Sequence, residues 1–509
     1  MFENQPKALY ALALANTGER FGYYTMIAVF SLFLRANFGL SGDTAGLIYG
    51  VFLALVYFLP LVGGIMADKF GYGKMVTIGI IVMFAGYLFL SIPLGGGVMG
   101  YAAMFGALLL VSLGTGLFKG NLQVMVGNLY DAPELSAKRD SGFSIFYMAI
   151  NIGALFAPTA AVRIKEWAEH SLGYSGNDAY HFSFAVACVS LIVSMMIYYA
   201  FRSTFKHVEA GAGKSKKTDT AGTEEELTPQ QTKERIVALC LVFAVVIFFW
   251  MSFHQNGLTL TFFADEFVSP KSEGVQTMAF DVINLVMIIF MIYSLMSFFQ
   301  SKTSKAKLIS TVVFLAAVGV LVYKYHNIGG PVDVSAPIFQ QFNPFYVVAL
   351  TPVSMAIFGA LAAKGKEPTA PRKIAYGMII AGSAYLLMVL ASRGLLTPNQ
   401  QDAAKTAGET VPFASGNWLI GTYLILTFGE LLLSPMGISF VSKVAPPKYK
   451  GTMMGGWFVA TAIGNLLVSV GGFLWNDIPL TIVWSVFIVL CLLSAGFMFL
   501  MMKRLEKVA

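Results

Sequence analysis

Charged side chains are scarce in this sequence. They make up 12% of its 509 residues, against about 25% in an ordinary soluble domain. Hydrophobic residues reach 57%, and the mean hydropathy is +0.70. This composition excludes a water-soluble globular protein and indicates a polytopic membrane protein. The formal net charge of +7 is small for this length, so nucleic acid is not expected as a partner.

The signatures of an enzyme are missing as well. Three cysteines, Cys188, Cys240 and Cys491, lie far apart in apolar segments without the spacing of metal ligands. No nucleophile–base motif or cofactor-binding loop is present. Gly211–Ser215 resembles part of a phosphate loop, but Val208 stands where its first glycine is required and no strand precedes it. We therefore expect no enzyme, no ATPase, no metal and no cofactor.

Long apolar runs recur along the whole chain, and runs of about 20 residues are the signature of membrane-spanning helices. No cleavable signal peptide is expected, since the first run is too long and contains an ion pair. Lysine and arginine concentrate in alternate loops, with Arg163 and Lys165 as the main exceptions, which predicts both termini in the cytoplasm. The sequence predicts fourteen spans, at about 8–36, 44–67, 74–95, 97–130, 140–161, 179–202, 235–264, 278–300, 306–325, 338–363, 373–393, 415–442, 450–474 and 479–502.

The longest polar stretch divides the chain into two halves. Residues 204–234 are rich in Gly, Ala, Thr, Lys and Glu, which is typical of a flexible linker. We expect a six-helix bundle over 1–203, and a second six-helix bundle over 235–509 with two inserted helices at about 278–325. The inserted pair is apolar and is expected to face lipid, with Asp281 at the membrane interface.

The first span contains a full ion pair, Glu19 and Arg20, followed by Tyr23 and Tyr24. A charge at mid-membrane costs about 2.5–3.5 kcal/mol on insertion scales, so such residues usually face a bundle interior or a water-filled cavity. These residues therefore indicate a functional cavity. The alternative is that Glu19 and Arg20 pair only with each other, as a structural feature.

A short charged motif lies between the second and third spans. Gly64–Lys74 combines turn-forming glycines with Asp68 and Lys74. It resembles the loop signature of the major facilitator superfamily, which occurs at the same place. That resemblance implies two six-helix bundles packed around a central site. The other interpretation of the motif is an ordinary charged turn.

Six ordered motifs resemble those of the proton-dependent oligopeptide transporter (POT) family. Glu19–Tyr24 resembles the ExxERFxYY signature, and Gly114–Asn121 the GTGLFKPN segment, with Gly120 in place of proline. The others are Phe146–Gly153 (FYxxINxG), Gln340–Pro344 (QxxNP), Gly429–Gly437 (GExxxSPxG) and Met453–Phe458 (MMGxWF).

The resemblance implies a role for each residue, and the chemistry is that of a zwitterion. A short peptide carries an ammonium, a carboxylate and at least one amide, so its recognition requires both an acid and bases. By resemblance, Arg20 and Lys119 hold the substrate carboxylate and Glu430 its amino group. Asn151 and Asn343 address the peptide backbone, and the aromatic residues Tyr23, Tyr24, Tyr57 and Trp457 line the pocket. Helix-to-helix hydrogen bonding by the asparagines, and simple packing of the aromatic residues, remain alternatives.

Three positions depart from the family pattern. Asn16 replaces the first acid of ExxER, Ile27 an arginine, and His254 an acid of the seventh helix. In typical members of the family, that arginine and that acid are thought to form a gate. Both are replaced here, which indicates an altered gate, because either one alone would be an unpaired charge in a low dielectric. The candidates for proton coupling are then Glu19 and Glu430, with His254 as a modulator. A neutral His254 that only packs is the alternative.

These observations together predict a multi-pass transporter of the inner membrane that imports di- and tripeptides by proton symport through alternating access. A monomer is expected, and its partners are peptide, protons and the lipid bilayer. Two alternatives stay open: a transporter of another small anion or zwitterion, and uncoupled facilitated transport of peptides. A receptor is not expected, since the largest loop is a short polar linker.

Overall fold

The computed structural model describes residues 5–130, 133–136, 139–210, 227–446 and 449–508. Almost every element in it is a helix, which confirms the prediction of an all-α polytopic membrane protein. Residues 211–226, including the Gly211–Ser215 segment, lie outside the described residues.

The helices follow the predicted spans closely, with short additional helices in the loops. They are α1 (Lys7–Phe38), α2 (Gly42–Phe70), α3 (Tyr72–Leu90), α4 (Val98–Asn128), α5 (Pro133–Ser136), α6 (Arg139–Leu172), α7 (Tyr180–Ala200), α8 (Pro229–Phe253), α9 (Thr259–Glu266), α10 (Thr277–Phe280), α11 (Val282–Gln300), α12 (Ser304–His326), α13 (Phe342–Ala363), α14 (Ala370–Ala391), α15 (Pro398–Thr406), α16 (Asn417–Val444), α17 (Lys450–Leu467), α18 (Ser469–Phe473) and α19 (Leu480–Val508). Two short strands, β1 (Lys271–Ser272) and β2 (Val332–Asp333), pair antiparallel.

Thirteen helical segments of the described chain are long and apolar enough to cross a membrane. The fourteenth predicted span, α1, is not among them, because its charged and polar residues lower its hydropathy. Its 32 residues nevertheless extend for about 48 Å at 1.5 Å per residue, which is more than a bilayer requires. The helix is mostly buried, including Glu19 and Arg20, so its polar residues face protein.

The chain divides into two compact units. Unit 1 comprises Met1–His254, Ile438–Phe473 and Lys503–Ala509. In this unit α1 packs on α6 and α7, α3 packs on α4, and α17 packs on both α2 and α8. Unit 2 comprises Gln255–Gly437 and Leu474–Met502. The units differ from the predicted halves, since α17 contacts α2 and α8 contacts α17 within unit 1. The bundle boundaries at 203 and 235 stay a prediction.

Glycines allow the closest helix contacts in unit 1. A Cβ atom at Gly79 of α3 would lie 2.7 Å from the carbonyl oxygen of Gly114 in α4, and one at Gly114 would lie 2.6 Å from the oxygen of Gly79. Gly116 likewise faces Leu59 of α2. Small residues at these positions let the backbones approach, as in other membrane helix pairs.

The predicted linker is partly structured. After α7, Arg202 donates three hydrogen bonds to the Glu209 carboxylate, which also accepts one from Tyr198. This ion pair raises the pKa of Arg202. At the other end, α8 starts at Pro229, six residues before the predicted span, because Thr228 forms a capping box with Gln231.

The inserted helices α11 and α12 form a hairpin that contacts α13. Most side chains of α12 are exposed, as expected of a lipid-facing accessory pair. Asp281 caps α11 by accepting a hydrogen bond from the backbone of Ile283 and forms an ion pair with Lys324 of α12. The predicted interfacial acid thus fastens the two helices at one end.

The seventh predicted span is interrupted at its middle. The α-helix α8 ends at Phe253, residues His254–Gly257 form one 3₁₀ turn, and α9 resumes at Thr259. A discontinuous helix exposes backbone polar groups inside the membrane, a feature that transporters use at binding sites. The predicted span over 235–264 lies within Pro229–Glu266, which is one segment long and apolar enough to cross a membrane, with this turn inside it.

Candidate functional site

Glu19 and Arg20 form a two-pronged ion pair inside unit 1. The Arg20 Nε donates to Glu19 Oε2 at 2.5 Å, and Nη2 donates to Oε1 at 2.6 Å. The exposed fractions of the two residues are 0% and 3%. Buried charges in this arrangement satisfy each other by two charge-assisted bonds. The predicted substrate-binding arginine is therefore held by the predicted proton-coupling acid.

The aromatic residues that follow the ion pair surround its arginine. The Arg20 guanidinium carbon lies 4.7 Å from the centroid of the Tyr23 ring. Tyr23 contacts Tyr24 edge-to-face at 5.3 Å and stacks on Phe52 of α2 at 6.4 Å between centroids. A cation over a ring face is attracted by the ring quadrupole, and more strongly where water is excluded. Tyr23 thus stabilises the charge of Arg20.

Lys119 of α4 lies over the face of Tyr57 of α2, with 4.0 Å between its Nζ and the ring centroid. Among the described residues, no carboxylate lies within 4.0 Å of this ammonium, so its charge is not neutralised by an ion pair. Packing of α2 on α4 brings the two residues together. Lys119 can therefore offer its charge to an anionic ligand group while Tyr57 holds it.

His254 lies at the 3₁₀ turn of the seventh span and contacts three aromatic rings, including that of the neighbouring Phe253 at 5.4 Å between centroids. Its imidazole stacks on Trp250 with centroids 5.1 Å apart and an angle of 20°, and its centroid lies 6.2 Å from that of Tyr57. The Tyr57 ring, which contacts His254, is also the ring against which the Lys119 ammonium lies. His254 belongs to the same cluster of side chains as the lysine.

The other two family departures are buried in α1. Asn16 is 3% exposed, and its Nδ2 has no hydrogen-bond partner among the described residues. Ile27 is 7% exposed and belongs to the apolar core. Both positions therefore lie in the interior of unit 1, where an acid or an arginine would each need a partner.

Two further predicted binding residues of unit 1 make local contacts. The Asn151 side chain donates to the backbone oxygen of Tyr147, one turn earlier in α6, at 3.1 Å. Trp457 of α17 is 3% exposed and packs edge-on against Phe243 of α8 at 6.5 Å. The Trp457 contact agrees with the alternative of packing, whereas the Asn151 bond lies within its own helix. A direct role in ligand binding stays a prediction for both residues.

Unit 2 holds the predicted acid of the C-terminal half. Asn343 of α13 donates through Nδ2 to Glu430 Oε2 at 2.9 Å and to the hydroxyl of Thr427 at 3.0 Å. The two residues lie 87 positions apart in sequence. Among the described residues no cation forms an ion pair with Glu430. Its carboxylate is therefore oriented by an amide and keeps capacity for a cationic ligand group.

The loop motif between α2 and α3 makes a sharp turn at Gly71, whose φ of 96° favours glycine. Asp68 accepts a hydrogen bond from the Tyr72 hydroxyl at 2.8 Å, and Lys74 lies 5.9 Å from the Phe70 ring centroid. Both charged residues thus contact side chains of the same loop motif.

The described residues contain no group of three His, Cys, Asp or Glu side chains that could hold a metal ion.

The sequence of this protein matches the model of the POT family over residues 73–222 and 324–483. Together these segments cover more than half of the 509 residues. The chain belongs to the POT family. The expectation from the six motifs is confirmed.

Curated relatives of this POT family chain cover nearly its whole length. It is 29% identical over 497 residues to the di-/tripeptide transporter of Lactococcus lactis subsp. cremoris, covering 92% of this chain and 89% of the relative. It is 26% identical to dipeptide and tripeptide permease B of Xenorhabdus bovienii (strain SS-2004), covering 92% and 86% of the two chains. A solved structure of a peptide transporter POT in complex with sulfate covers 100% of this chain and 96% of its own, with a TM-score of 0.74 and 22% identity. That likeness establishes the fold.

The sequence analysis did not identify Thr427, which shares the Asn343 amide with Glu430, or Trp250, which stacks on His254. Thr427 lies three residues before Glu430, on the same face of α16, and Trp250 lies four residues before His254. Helical spacing is a signal that could have indicated both. The Lys119–Tyr57 contact depends on the register between α2 and α4, for which one sequence carries no signal.

Proposed function

We propose that this protein is a secondary active transporter that imports di- and tripeptides together with protons through alternating access. The observation that carries the proposal is a pair of charges without ion-pair partners among the described residues: Lys119 in unit 1 and Glu430 in unit 2. Unit 1 can thus receive an anionic ligand group and unit 2 a cationic one, and a zwitterion carries both groups. The names of the curated relatives support a peptide as that zwitterion.

The proposed roles follow from the contacts of each side chain. Lys119 binds the substrate carboxylate, and Arg20 joins it when Glu19 releases the guanidinium. Glu430 binds the substrate ammonium, and Asn343 orients its carboxylate. Tyr57 lies against Lys119 and fixes the position of its ammonium. Asn151, Tyr24 and Trp457 are proposed as supporting contacts to the peptide.

Proton coupling is proposed to use Glu19. Protonation of Glu19 removes the charge that holds Arg20, so one proton and one carboxylate ligand exchange at the same guanidinium. Glu430 is the second candidate, because ligand ammonium and proton compete for it. Since Asn16 does not titrate, coupling depends on fewer acids in this chain than in the ExxER pattern.

The protein is proposed to lie in the inner membrane with both termini in the cytoplasm and to act as a monomer. The lysine-rich loops after α2, α11 and α16 support this orientation by the positive-inside rule.

Uptake into proteoliposomes tests the proposal. Labelled dialanine is supplied outside vesicles with and without an inward proton gradient, and a protonophore is added at steady state. Concentrative uptake that collapses with the protonophore supports proton symport. Uptake that only equilibrates contradicts coupling and indicates facilitated transport. Absence of peptide uptake in folded protein contradicts the peptide assignment and favours another small zwitterion or anion.

Control variants make the test specific. Glu430→Gln removes the carboxylate with little change of volume, and we expect it to abolish most uptake. Glu409→Gln makes the same chemical change at an exposed position and is expected to leave uptake unchanged.

A further inference from the structure

The turn between α11 and α12 concentrates positive charge. Lys302, Lys305 and Lys307 lie within six residues of sequence, and all three are exposed. None of them forms an ion pair with a described residue. No aspartate or glutamate occurs in the sequence between Asp281 and Asp333, so the two helices and their turn contain no acid that could neutralise these lysines.

The three lysines do not join the two helices. At their end of the hairpin, the Ser310 hydroxyl donates a hydrogen bond to that of Ser297 at 2.9 Å. At the other end, Lys324 of α12 forms an ion pair with Asp281, the residue that caps α11. Positive charge is therefore neutralised at one end of the hairpin and available at the other.

The sides of the hairpin are apolar. Leu308, Ile309, Val312 and Leu315 of α12 are each more than half exposed. In a membrane-spanning helix, the acyl chains of lipids cover side chains of this kind. A lipid beside α12 therefore has its headgroup near one end of that helix.

The length of α12 places the lysine turn at the level of the headgroups. The helix has 23 residues, and at 1.5 Å per residue it extends for about 34 Å, close to the ~30 Å of the hydrocarbon core. Tyr323 and Tyr325, in its last turn, are exposed, and tyrosine is enriched at membrane interfaces. With these tyrosines at one interface, residues 301–307 lie at the other.

Three cations at this depth can bind lipid phosphates. A lysine ammonium binds a phosphate as a point charge, through charge-assisted hydrogen bonds. Zwitterionic headgroups carry a cation of their own beside the phosphate, whereas phosphatidylglycerol carries a net negative charge. The attraction of a basic residue to an anionic membrane surface amounts to about fivefold in affinity per residue. The turn therefore favours anionic over zwitterionic lipids.

We propose that residues 301–307 form a binding surface for the headgroups of anionic phospholipids and enrich such lipids beside the hairpin. The lysines bind the headgroup phosphate, and the apolar side of α12 receives the acyl chains. A soluble phosphate compound makes only the first of these contacts, so a lipid is the occupant. None of the proposed transport residues belongs to this surface, and its lipid preference can be measured without transport.

Quenching of a local fluorophore tests this surface. Gln300→Cys, at the end of α11, is labelled with bimane in a Cys240→Ser background, since Cys188 and Cys491 are buried. The full-length protein is reconstituted in phosphatidylcholine vesicles that contain a small fraction of lipid with a nitroxide near the top of one acyl chain. The nitroxide lipid is either phosphatidylglycerol or phosphatidylcholine. We expect the relative binding constant at position 300 to favour phosphatidylglycerol by at least about tenfold.

Removal of the three charges should abolish this preference. Lys302→Gln, Lys305→Gln and Lys307→Gln together should make the two nitroxide lipids quench equally. The corresponding three arginine replacements keep the charges and should retain the difference. Both sets of variants are expected to fold, because none of these lysines forms an ion pair with a described residue.

Two controls use other parts of the chain. Replacement by glutamine of Lys364, Lys366 and Lys503, three other exposed lysines, should leave the preference at position 300 unchanged. A label at Asn327→Cys, at the end of the hairpin that carries the Asp281 ion pair, should show no preference between the two lipids.

Four results would overturn the proposal. Equal quenching by the two lipids in the native turn, or a preference that the glutamine variant retains, would show that the lysines do not select anionic lipids. Displacement by millimolar glycerol phosphate would assign the surface to a soluble phosphate compound. Loss of the preference when the protein is diluted in lipid would assign the surface to a second copy of the chain. Peptide uptake is not measured here, so failure of the proposed transport function would leave this result unaffected.

Discussion

Asn343 donates a hydrogen bond of 2.9 Å to the carboxylate of Glu430, across 87 residues of sequence. The same amide nitrogen also contacts Thr427, so α13 and α16 are joined through one side chain. The contact orients an acid that has no cationic partner among the described residues. We therefore expect Asn343 to affect transport by orienting the Glu430 carboxylate.

Replacing Asn343 with alanine should raise the KM for dialanine about tenfold or more. A hydrogen bond to a charged group contributes about 1.5–3 kcal/mol, and without it the Glu430 carboxylate is no longer held in one orientation. Initial rates in proteoliposomes measure the effect. Asn327→Ala, at an exposed position after α12, serves as control. An unchanged KM in Asn343→Ala would remove Asn343 from the proposed site.

Glu19→Gln should destabilise the protein strongly. It leaves the Arg20 guanidinium buried without a counter-charge, and breaking a buried pair in this way costs about 3–5 kcal/mol. The double variant Glu19→Gln with Arg20→Gln should recover a large part of the loss. Thermal unfolding midpoints in detergent give the comparison. Equal midpoints for the single variant and the native chain would contradict a structural ion pair.

The same variant bears on coupling. If Glu19 carries the proton, Glu19→Gln protein that remains folded should bind or exchange peptide without concentrating it. Counterflow and gradient-driven uptake, measured on the same vesicles, separate these activities. Retained concentrative uptake would shift the coupling role to Glu430.

The ring of Tyr57 should matter more than its hydroxyl. Tyr57→Phe keeps the aromatic face beneath Lys119, whereas Tyr57→Leu removes it and with it a cation–π contact of about 0.5–2 kcal/mol. We expect the KM to change little in the first variant and to rise about 2- to 30-fold in the second, by the same free energy. Equal effects of both variants would indicate that the hydroxyl is the functional group.

His254 should influence how uptake depends on pH. His254→Phe keeps an aromatic ring against Trp250 but cannot titrate, so it isolates protonation from packing. A protonated imidazole would add a positive charge beside the Tyr57–Lys119 pair and favour an anionic ligand group there. We therefore expect the variant to lose part of the stimulation of uptake at acidic pH. If uptake by the variant and by the native chain depended on pH in the same way, His254 would have only a packing role.

Apolar length predicted the helices well, while their ends and interruptions followed local chemistry. The fifth span was predicted to end at 161, but α6 continues to Leu172. Its extension carries the pairs Arg163–Glu166 and Lys165–Glu169, spaced for a helix that leaves the membrane. The 3₁₀ turn at His254–Gly257 lies inside the predicted seventh span, and apolar length alone carries no signal for a single turn.

The motifs named candidate site residues, whose roles stay a prediction, but they did not indicate the contacts of those residues. Motifs pointed to Arg20, Lys119, Asn343 and Glu430. The Arg20–Glu19 pair could be anticipated from adjacency, whereas the contacts of Lys119 with Tyr57 and of Asn343 with Glu430 depend on how separate helices pack. A single sequence shows which residues share a face of one helix, but not how two packed helices are aligned with each other.

The interruption of the seventh span also has an electrostatic consequence. Each α-helix carries about half an elementary charge at its ends, positive at the first amides and negative at the last carbonyls. Within six residues of sequence, α8 therefore ends on a negative partial charge at Phe253 and α9 begins on a positive one at Thr259. These backbone charges do not titrate, so the electrostatic pattern of the backbone along this part of the span is the same at any pH.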